Sequence, residues 1–303
     1  MKIVLKSILA LSSAALLAVS CNVEAVGTLY EQESGKTGVS FAANLAGDSE
    51  ISATATSFTI PVRRAAADGS QTVNISSTLP EDIVVPSTVT FSAGQYETDL
   101  VLDISSMAVG KTYKGAVKLA NAEEYDAKTA ISSVSVTLAK AYTWVNIGKG
   151  QFYDGLALQP SDDDLGIIEV EILQAEGFDR WRILNPFPKD KLIAAWAESY
   201  VTYNPTSEIE FWVNDKDVIE FSPNVIKTGL TYIGLGSDCY IYYYYPSVYS
   251  SQIAADDAKN CFVMDKVAQF YFAQVIENST SWFGEGAKYL SLPGGPDLNE
   301  LLQ

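Results

Sequence analysis

Val89-Thr90-Phe91-Ser92-Ala93-Gly94-Gln95, followed by Thr98-Asp99-Leu100-Val101-Leu102-Asp103-Ile104, is the stretch that decides the fold. In each half apolar residues alternate with polar ones, the period of a strand with one wet face, and Ala93-Gly94-Gln95 is the turn between them. Working outward, the same alternation recurs at Phe58-Thr59-Ile60-Pro61-Val62, Gln71-Thr72-Val73-Asn74-Ile75 and Ile83-Val84-Val85. It returns at Ala116-Val117-Lys118-Leu119 and Val134-Ser135-Val136-Thr137-Leu138, and the opening run itself begins at Thr88. Breakers separate these runs: Asp68-Gly69, Pro80 and Gly110-Lys111. About seven short strands in roughly 105 residues, with no helical period, predict an Ig-like β-sandwich over residues 37–141.

The Val89–Gln95 and Leu100–Ile104 segments, with Tyr113 and Val117-Lys118-Leu119, resemble calx-beta modules. Such modules begin many surface lipoproteins of Bacteroidetes-type bacteria. Some of them hold calcium through acidic loops, and Glu123, Glu124 and Asp126 could be proposed for that role. Calcium loops of this kind carry more acidic ligands than these three, so a solvated acidic turn is the better account and no metal is expected.

Around Ala141 the composition changes. Four Tyr, three Phe and no Trp precede it; thirteen Tyr, nine Phe and all five Trp follow. That shift marks a boundary and assigns the large flat side chains to residues 142–303. Trp144-Val145-Asn146-Ile147-Gly148-Lys149-Gly150-Gln151-Phe152-Tyr153-Asp154, then Ile168-Glu169-Val170-Glu171-Ile172, then Arg180-Trp181-Arg182-Ile183-Leu184-Asn185-Pro186-Phe187, resemble a module that follows the sandwich in the same lipoproteins. Many of those are associated with polysaccharide-utilisation loci. Beyond it, Leu192, Ile193, Trp196 and Tyr200 fall at helical spacing after Pro188. Glu208–Val213 and Val218–Phe221 flank a polar turn and read as a hairpin. Tyr232-Ile233, Tyr240–Tyr245, Phe262–Met264, Gln269–Val275 and Leu290–Leu292 read as further strands, and Ser251–Lys259 as a second short helix. The expected class is therefore mainly β: an Ig-like sandwich followed by a second antiparallel sandwich or open barrel with one or two short helices.

At the start of the chain, Lys2 and Lys6 precede the apolar run Ile8–Val19, and Ala18-Val19-Ser20 leads into Cys21. This order is that of a secretion signal over residues 1–21, too short to span a bilayer as a helix. It resembles the lipobox of bacterial lipoproteins, which implies that Cys21 is lipidated and becomes the first mature residue; the alternative is an ordinary signal peptide with Cys21 a plain thiol. Residues 22–36 show no period and read as a tether.

Composition excludes several chemistries. The 303-residue chain carries −17, and without Lys2 and Lys6 it holds 18 basic against 37 acidic residues, a net −19. Such a surface repels phosphate backbones, so nucleic acid is not expected as a partner. There is no histidine, which removes imidazole bases, Ser-His-Asp catalysis and histidine metal sites. No cofactor motif is present. Cys239 and Cys261 would in an exported protein form one disulfide, worth ~3 kcal/mol, or else remain two buried thiols.

The candidate binding residues are aromatic. In a strand Tyr240, Tyr242 and Tyr244 share one face and Ile241, Tyr243 and Tyr245 the other. Exposed rings with hydroxyls suit sugar rings, although a strand half buried and half exposed with no ligand carries more weight. Trp144, Trp181 and Trp196 are expected in the core. Trp212 falls on the polar face with Glu208 and Glu210 and is the leading platform; Trp282, near glycines, is expected in a loop that could line a site. Asp154, Glu169, Glu171, Glu208, Glu210 and Glu220 could support glycoside hydrolysis, but spacing pairs none of them. The function expected is non-catalytic carbohydrate binding by a lipid-anchored outer-membrane or cell-surface protein. An adhesin or a subunit of an envelope complex is the alternative, and a carboxylate-dependent glycosidase a weaker one.

Overall fold

The computed structural model describes residues 38–42, 48–120, 131–235, 239–278 and 282–303. The leader, Cys21, the tether and the Glu123-Glu124-Asp126 turn lie outside the described residues. The chain divides into two compact units, one ending at Ala141 and the other running from Tyr142 to Gln303.

The first unit has strands β1 (Val39–Phe41), β2 (Asp48–Ile51), β3 (Ser57–Arg64), β4 (Gln71–Ser77), β5 (Thr88–Phe91), β6 (Glu97–Asp103), β7 (Thr112–Leu119) and β8 (Ser133–Lys140). They form two sheets, β1-β3-β6 and β2-β8-β7-β4-β5, antiparallel except where β2 runs parallel to β8. Alternation in each strand sends one set of side chains inward: Ile60 and Val62, Val89 and Phe91, Leu100 and Leu102, Val136 and Leu138 meet in one core. This is the Ig-like sandwich read from the sequence. Gly94 adopts φ 79° at the β5–β6 turn, a conformation open to a residue without Cβ. Arg64, nearly buried, donates to the carbonyls of Gln95, Gly69 and Ser92 at 2.7–2.8 Å and lies over the Phe91 ring, so its charge is spent on tying down that corner. Ile83-Val84-Val85 is not a strand. It makes one bridge, Val84 to Asp103, because Pro80 and Pro86 on either side offer no N–H to a ladder.

The second unit is one ten-stranded sheet. Strands β9 (Trp144–Tyr153), β10 (Ile168–Ala175), β11 (Arg180–Leu184), β12 (Glu208–Val213) and β13 (Ile219–Ser222) form a meander. Strands β14 (Val225–Thr231), β15 (Tyr240–Tyr244), β17 (Val267–Glu277) and β18 (Trp282–Ser291) continue it back to β9, while β16 (Cys261–Met264) pairs with β17. The order β13-β12-β11-β10-β9-β18-β17-β15-β14 puts at its two ends strands that are consecutive in the chain, so the sheet is barrel-like and nearly closed. Its inward positions, among them Phe152, Ile172, Trp181, Phe211, Phe221, Tyr243, Phe270 and Phe272, make a single aromatic core. Helix α1 (Lys189–Trp196) adds Leu192 to it, and Trp196 donates from Nε1 to the Leu156 carbonyl at 2.9 Å. Helix α2 (Pro246–Tyr249) runs into a 3-10 segment at Ser251–Lys259. Helix α3 (Leu298–Leu301) ends the chain.

Four further expectations need correction. Cys239 and Cys261 are free thiols. Both flank β17, but Tyr240, next to Cys239, is in register with Glu277, and Cys261 with Gln269. Eight residues of strand separate those positions, about 26 Å, against the ~7 Å that a disulfide tolerates. Trp282 is not a loop residue: it opens β18 in register with Val275. Tyr232-Ile233 form a turn after β14 rather than a strand. Trp144 is not in the core, for it stands half-buried on the outer face of β9 with Arg182 stacked 4.0 Å from its ring centroid.

Candidate functional site

The outer face of the β12–β13 hairpin faces a groove of about 780 Å³ whose other wall is the segment from Tyr245 through Ala258. The hairpin positions its side chains by parity: Ile209 and Phe211 point into the core, Glu208, Glu210 and Trp212 away from it. Trp212 is in register with Glu220, and its Nε1 donates to Glu220 Oε2 at 3.0 Å. Asn214 Nδ2 donates to the other oxygen of Glu220 at 2.9 Å. The Asn214 Oδ1 in turn accepts from the backbone N–H groups of Lys216 and Val218, at 2.9 and 3.1 Å, closing the turn. One carboxylate thus fixes the plane of an indole and the orientation of an amide, with Asp217 at φ 58° letting the chain turn back.

Behind Trp212, Arg180 lies 3.9 Å from the ring centroid and also 4.9 Å from that of Tyr142. Arg180 and Arg182 both hold Glu210, with Arg182 Nε donating at 2.8 Å. The outer surface of β9, β11 and β12 is therefore a run of ring–cation pairs, Arg182 on Trp144 and Arg180 on Trp212, joined through Glu210. Mostly desolvated ion pairs of this geometry hold their members in place more firmly than exposed ones do. One face of Trp212 belongs to that run, and the groove takes what remains.

On the far wall, Tyr245 packs edge-on against Phe221 at 4.9 Å, and its hydroxyl donates to the Ile219 carbonyl at 3.4 Å. Burial, with Asp257 and Glu220 nearby, pushes the Tyr245 phenol up to about 12. It stays a donor at neutral pH. Asp257 Oδ1 accepts from the Ser247 N–H at 2.9 Å, and Asn224 completes the polar lining. The small residues Ala254, Ala255 and Ala258 keep this wall low. Rings beside pre-tied amides and carboxylates form a surface that can cover a sugar face while receiving and donating hydrogen bonds at its hydroxyls.

Of the residues singled out in the sequence, Trp212 and Glu220 line the groove. Tyr240, Tyr242 and Tyr244 do not; they form a separate, half-buried row on the outer face of β15, with Ile241 and Tyr243 on the buried face. Tyr240 and Tyr242 stack at 5.9 Å and 18°, and Tyr244 donates to Glu277 Oε2 at 2.6 Å. Burial and then Glu277 raise the phenols of Tyr242 and Tyr244 above their ordinary range. The remaining carboxylates are dispersed. Glu169 pairs with Lys149 at 2.8 Å, Glu208 approaches Arg182 at 3.5 Å, Glu171 is exposed, and Asp154 lies inside the barrel. Among the described residues, no three Cys, Asp or Glu side chains converge as a metal site, and no helix is long and apolar enough to cross a membrane.

Sequence reading missed Asn214, Asn224, Tyr245 and Asp257 as groove residues. Asn214 carried a signal, a turn amide beside the leading tryptophan. Asn224 closely follows β13, whereas Tyr245 and Asp257 come from a segment that meets the hairpin only after folding.

No protein-family model matches this chain, and none of the curated proteins matches it. Among solved structures it is similar to a protein of unknown function from Bacteroides ovatus, at 9% identity, TM-score 0.33, covering 86% of this chain and 98% of that one. It is also similar to a multidomain protein including DUF1735 from Bacteroides ovatus, at 9% identity, TM-score 0.31, covering 84% and 92%. A calcium-binding domain of CALX1.1 matches at 11% identity and TM-score 0.25, covering 48% of this chain and 78% of that one.

Proposed function

We propose that this protein is a non-catalytic envelope lipoprotein that captures polysaccharide in the groove of its second unit. The observation that carries the reading is the Trp212–Glu220–Asn214 arrangement, a ring and an amide held in fixed orientation at the mouth of a polar groove. Orientation fixed before binding lowers the entropy lost on binding. Trp212→Ala should weaken polysaccharide binding about tenfold, the equivalent of ~1.4 kcal/mol, in titration calorimetry. Tyr242→Ala, on the separate row, should leave it unchanged. If a broad glycan array and calorimetry detect no polysaccharide ligand for the intact protein, the reading fails.

A second reading has one observation in its favour. Val263 and Met264 are exposed side by side on β16, and Val248 is exposed at the rim of the groove. Apolar residues placed there suit a protein partner in an envelope complex, which co-purification at fixed stoichiometry in mild detergent would reveal.

A further inference from the structure

The interior of the second unit holds a lysine and an aspartate that the groove does not use. Lys288 is 2% exposed and Asp154 0%, with Nζ 3.0 Å from Oδ1. Topology brings them together. Strands β18 and β9 pair as Ser291 with Gln151, Leu290 with Phe152 and Tyr289 with Tyr153, and one step further along that register sets Lys288 opposite Asp154.

The surroundings are more specific than an ion pair requires. The backbone N–H groups of Leu156 and Ala157 both donate to Asp154 Oδ1, at 2.9 and 3.0 Å. The Tyr243 hydroxyl donates to the other oxygen, Oδ2, at 2.8 Å. Gln274, oriented so that both ends of its amide are satisfied, accepts from Lys288 Nζ at 3.1 Å. The Tyr243 ring lies 5.0 Å from Nζ, and Phe272 stacks on that ring at 5.2 Å. An amine thus faces a carboxyl in an apolar enclosure. Two N–H donors sit on one carboxyl oxygen, as in an oxyanion hole, and a phenol sits on the oxygen that could leave.

We infer that Lys288 and Asp154 become joined by an intramolecular isopeptide bond once the chain has folded. After one ammonium proton has passed to Oδ2 by way of the Tyr243 hydroxyl, which already donates to that oxygen, the Nζ lone pair attacks Cγ. The carbonyl electron pair moves to Oδ1, where the N–H groups of Leu156 and Ala157 receive it. The second proton leaves Nζ and reaches Oδ2 by way of the Tyr243 hydroxyl, the carbonyl re-forms at Oδ1, and Oδ2 departs as water. One ammonium and one carboxylate give one amide and one water, with no change of oxidation state and no co-reactant. Three residue pairs hold β9 to β18, where the last strand of the unit returns to the first. A covalent tie beside them closes a loop over residues 154–288 in a protein whose Cys239 and Cys261 make no bridge.

Peptide mapping of the purified full chain tests this. Trypsin digestion after denaturation should yield one branched species containing Asp154 and Lys288, one water lighter than its two linear peptides together and uncut after Lys288. Asp154→Ala and Lys288→Met should each abolish it, and Tyr243→Phe should lower the joined fraction. Full recovery of both linear peptides from the unsubstituted protein, with cleavage after Lys288, overturns the inference and leaves a buried ion pair.

Discussion

At the scale of single residues, the second unit is governed by what its aromatic side chains do with their polar ends. Trp212 gives its N–H to Glu220, Tyr244 its hydroxyl to Glu277, and Tyr271 its hydroxyl to Glu285. These are short, charge-assisted bonds that hold rings on an outer face where packing alone would leave them free. They also set an alkaline limit on stability. An unfolded phenol ionises near 10, whereas burial and neighbouring carboxylates push Tyr245 up to about 12 and raise Tyr243 and Tyr244 as well. A group whose folded pKa is raised contributes fully below its unfolded value and loses that contribution as pH climbs toward the folded one. Urea-unfolding midpoints should therefore hold steady up to about pH 10 and fall between about 10 and 12, and less steeply in Tyr245→Phe. Tyrosinate absorbance of the folded protein should lag that of the unfolded chain over the same window; coincident curves would contradict it. Parity alone told Tyr243 from Tyr242 in the sequence. Lys288 sat on the inward parity of Leu290 and was readable by the same rule, yet nothing in the sequence names Asp154 as its partner.

At the scale of elements, alternation carries far and then stops. It located β3 to β8 because each strand of the sandwich has one wet and one dry face, and it failed at Ile83–Val85, where flanking prolines remove ladder donors. Strand β9 illustrates what alternation does not record. Gly150 lies where β9 passes between β10 and β18, and a Cβ there would sit 2.5 Å from the Ser291 carbonyl oxygen and 3.2 Å from Ile172. Gly150→Val should therefore destabilise the protein by about 1–3 kcal/mol in denaturant unfolding, while Gly69→Ala, where a Cβ meets nothing within 4 Å, should be near neutral. The cysteines teach the same lesson. A spacing of about 20 residues looks suitable for a bridge, but β17 holds the two sulfurs at opposite ends of its length. Adding a reductant should leave the melting temperature unchanged, and thiol titration of the denatured chain should find Cys239 and Cys261 both reactive.

At the scale of the whole molecule, the question is where the chain works and what it presents there. The proposed anchor is tested by Cys21→Ser, which should move the protein from the membrane fraction to the soluble one and abolish incorporation of labelled palmitate. Retention in the membrane fraction without label would point to attachment by another route. The acidic balance and the absence of histidine hold for any arrangement of the chain, since they depend on composition alone. So does the class of fold, because a run of short alternating segments separated by breakers can bury its apolar residues only as paired sheets. Tertiary structure decided the rest. It made one nearly closed sheet of ten strands, set Trp212 against Arg180 on one side and a groove on the other, kept two thiols apart and brought Lys288 to Asp154. The physical reason is range: period and composition act within a few residues, whereas a groove or a buried pair is made by segments distant in sequence, whose meeting depends on strand order and register.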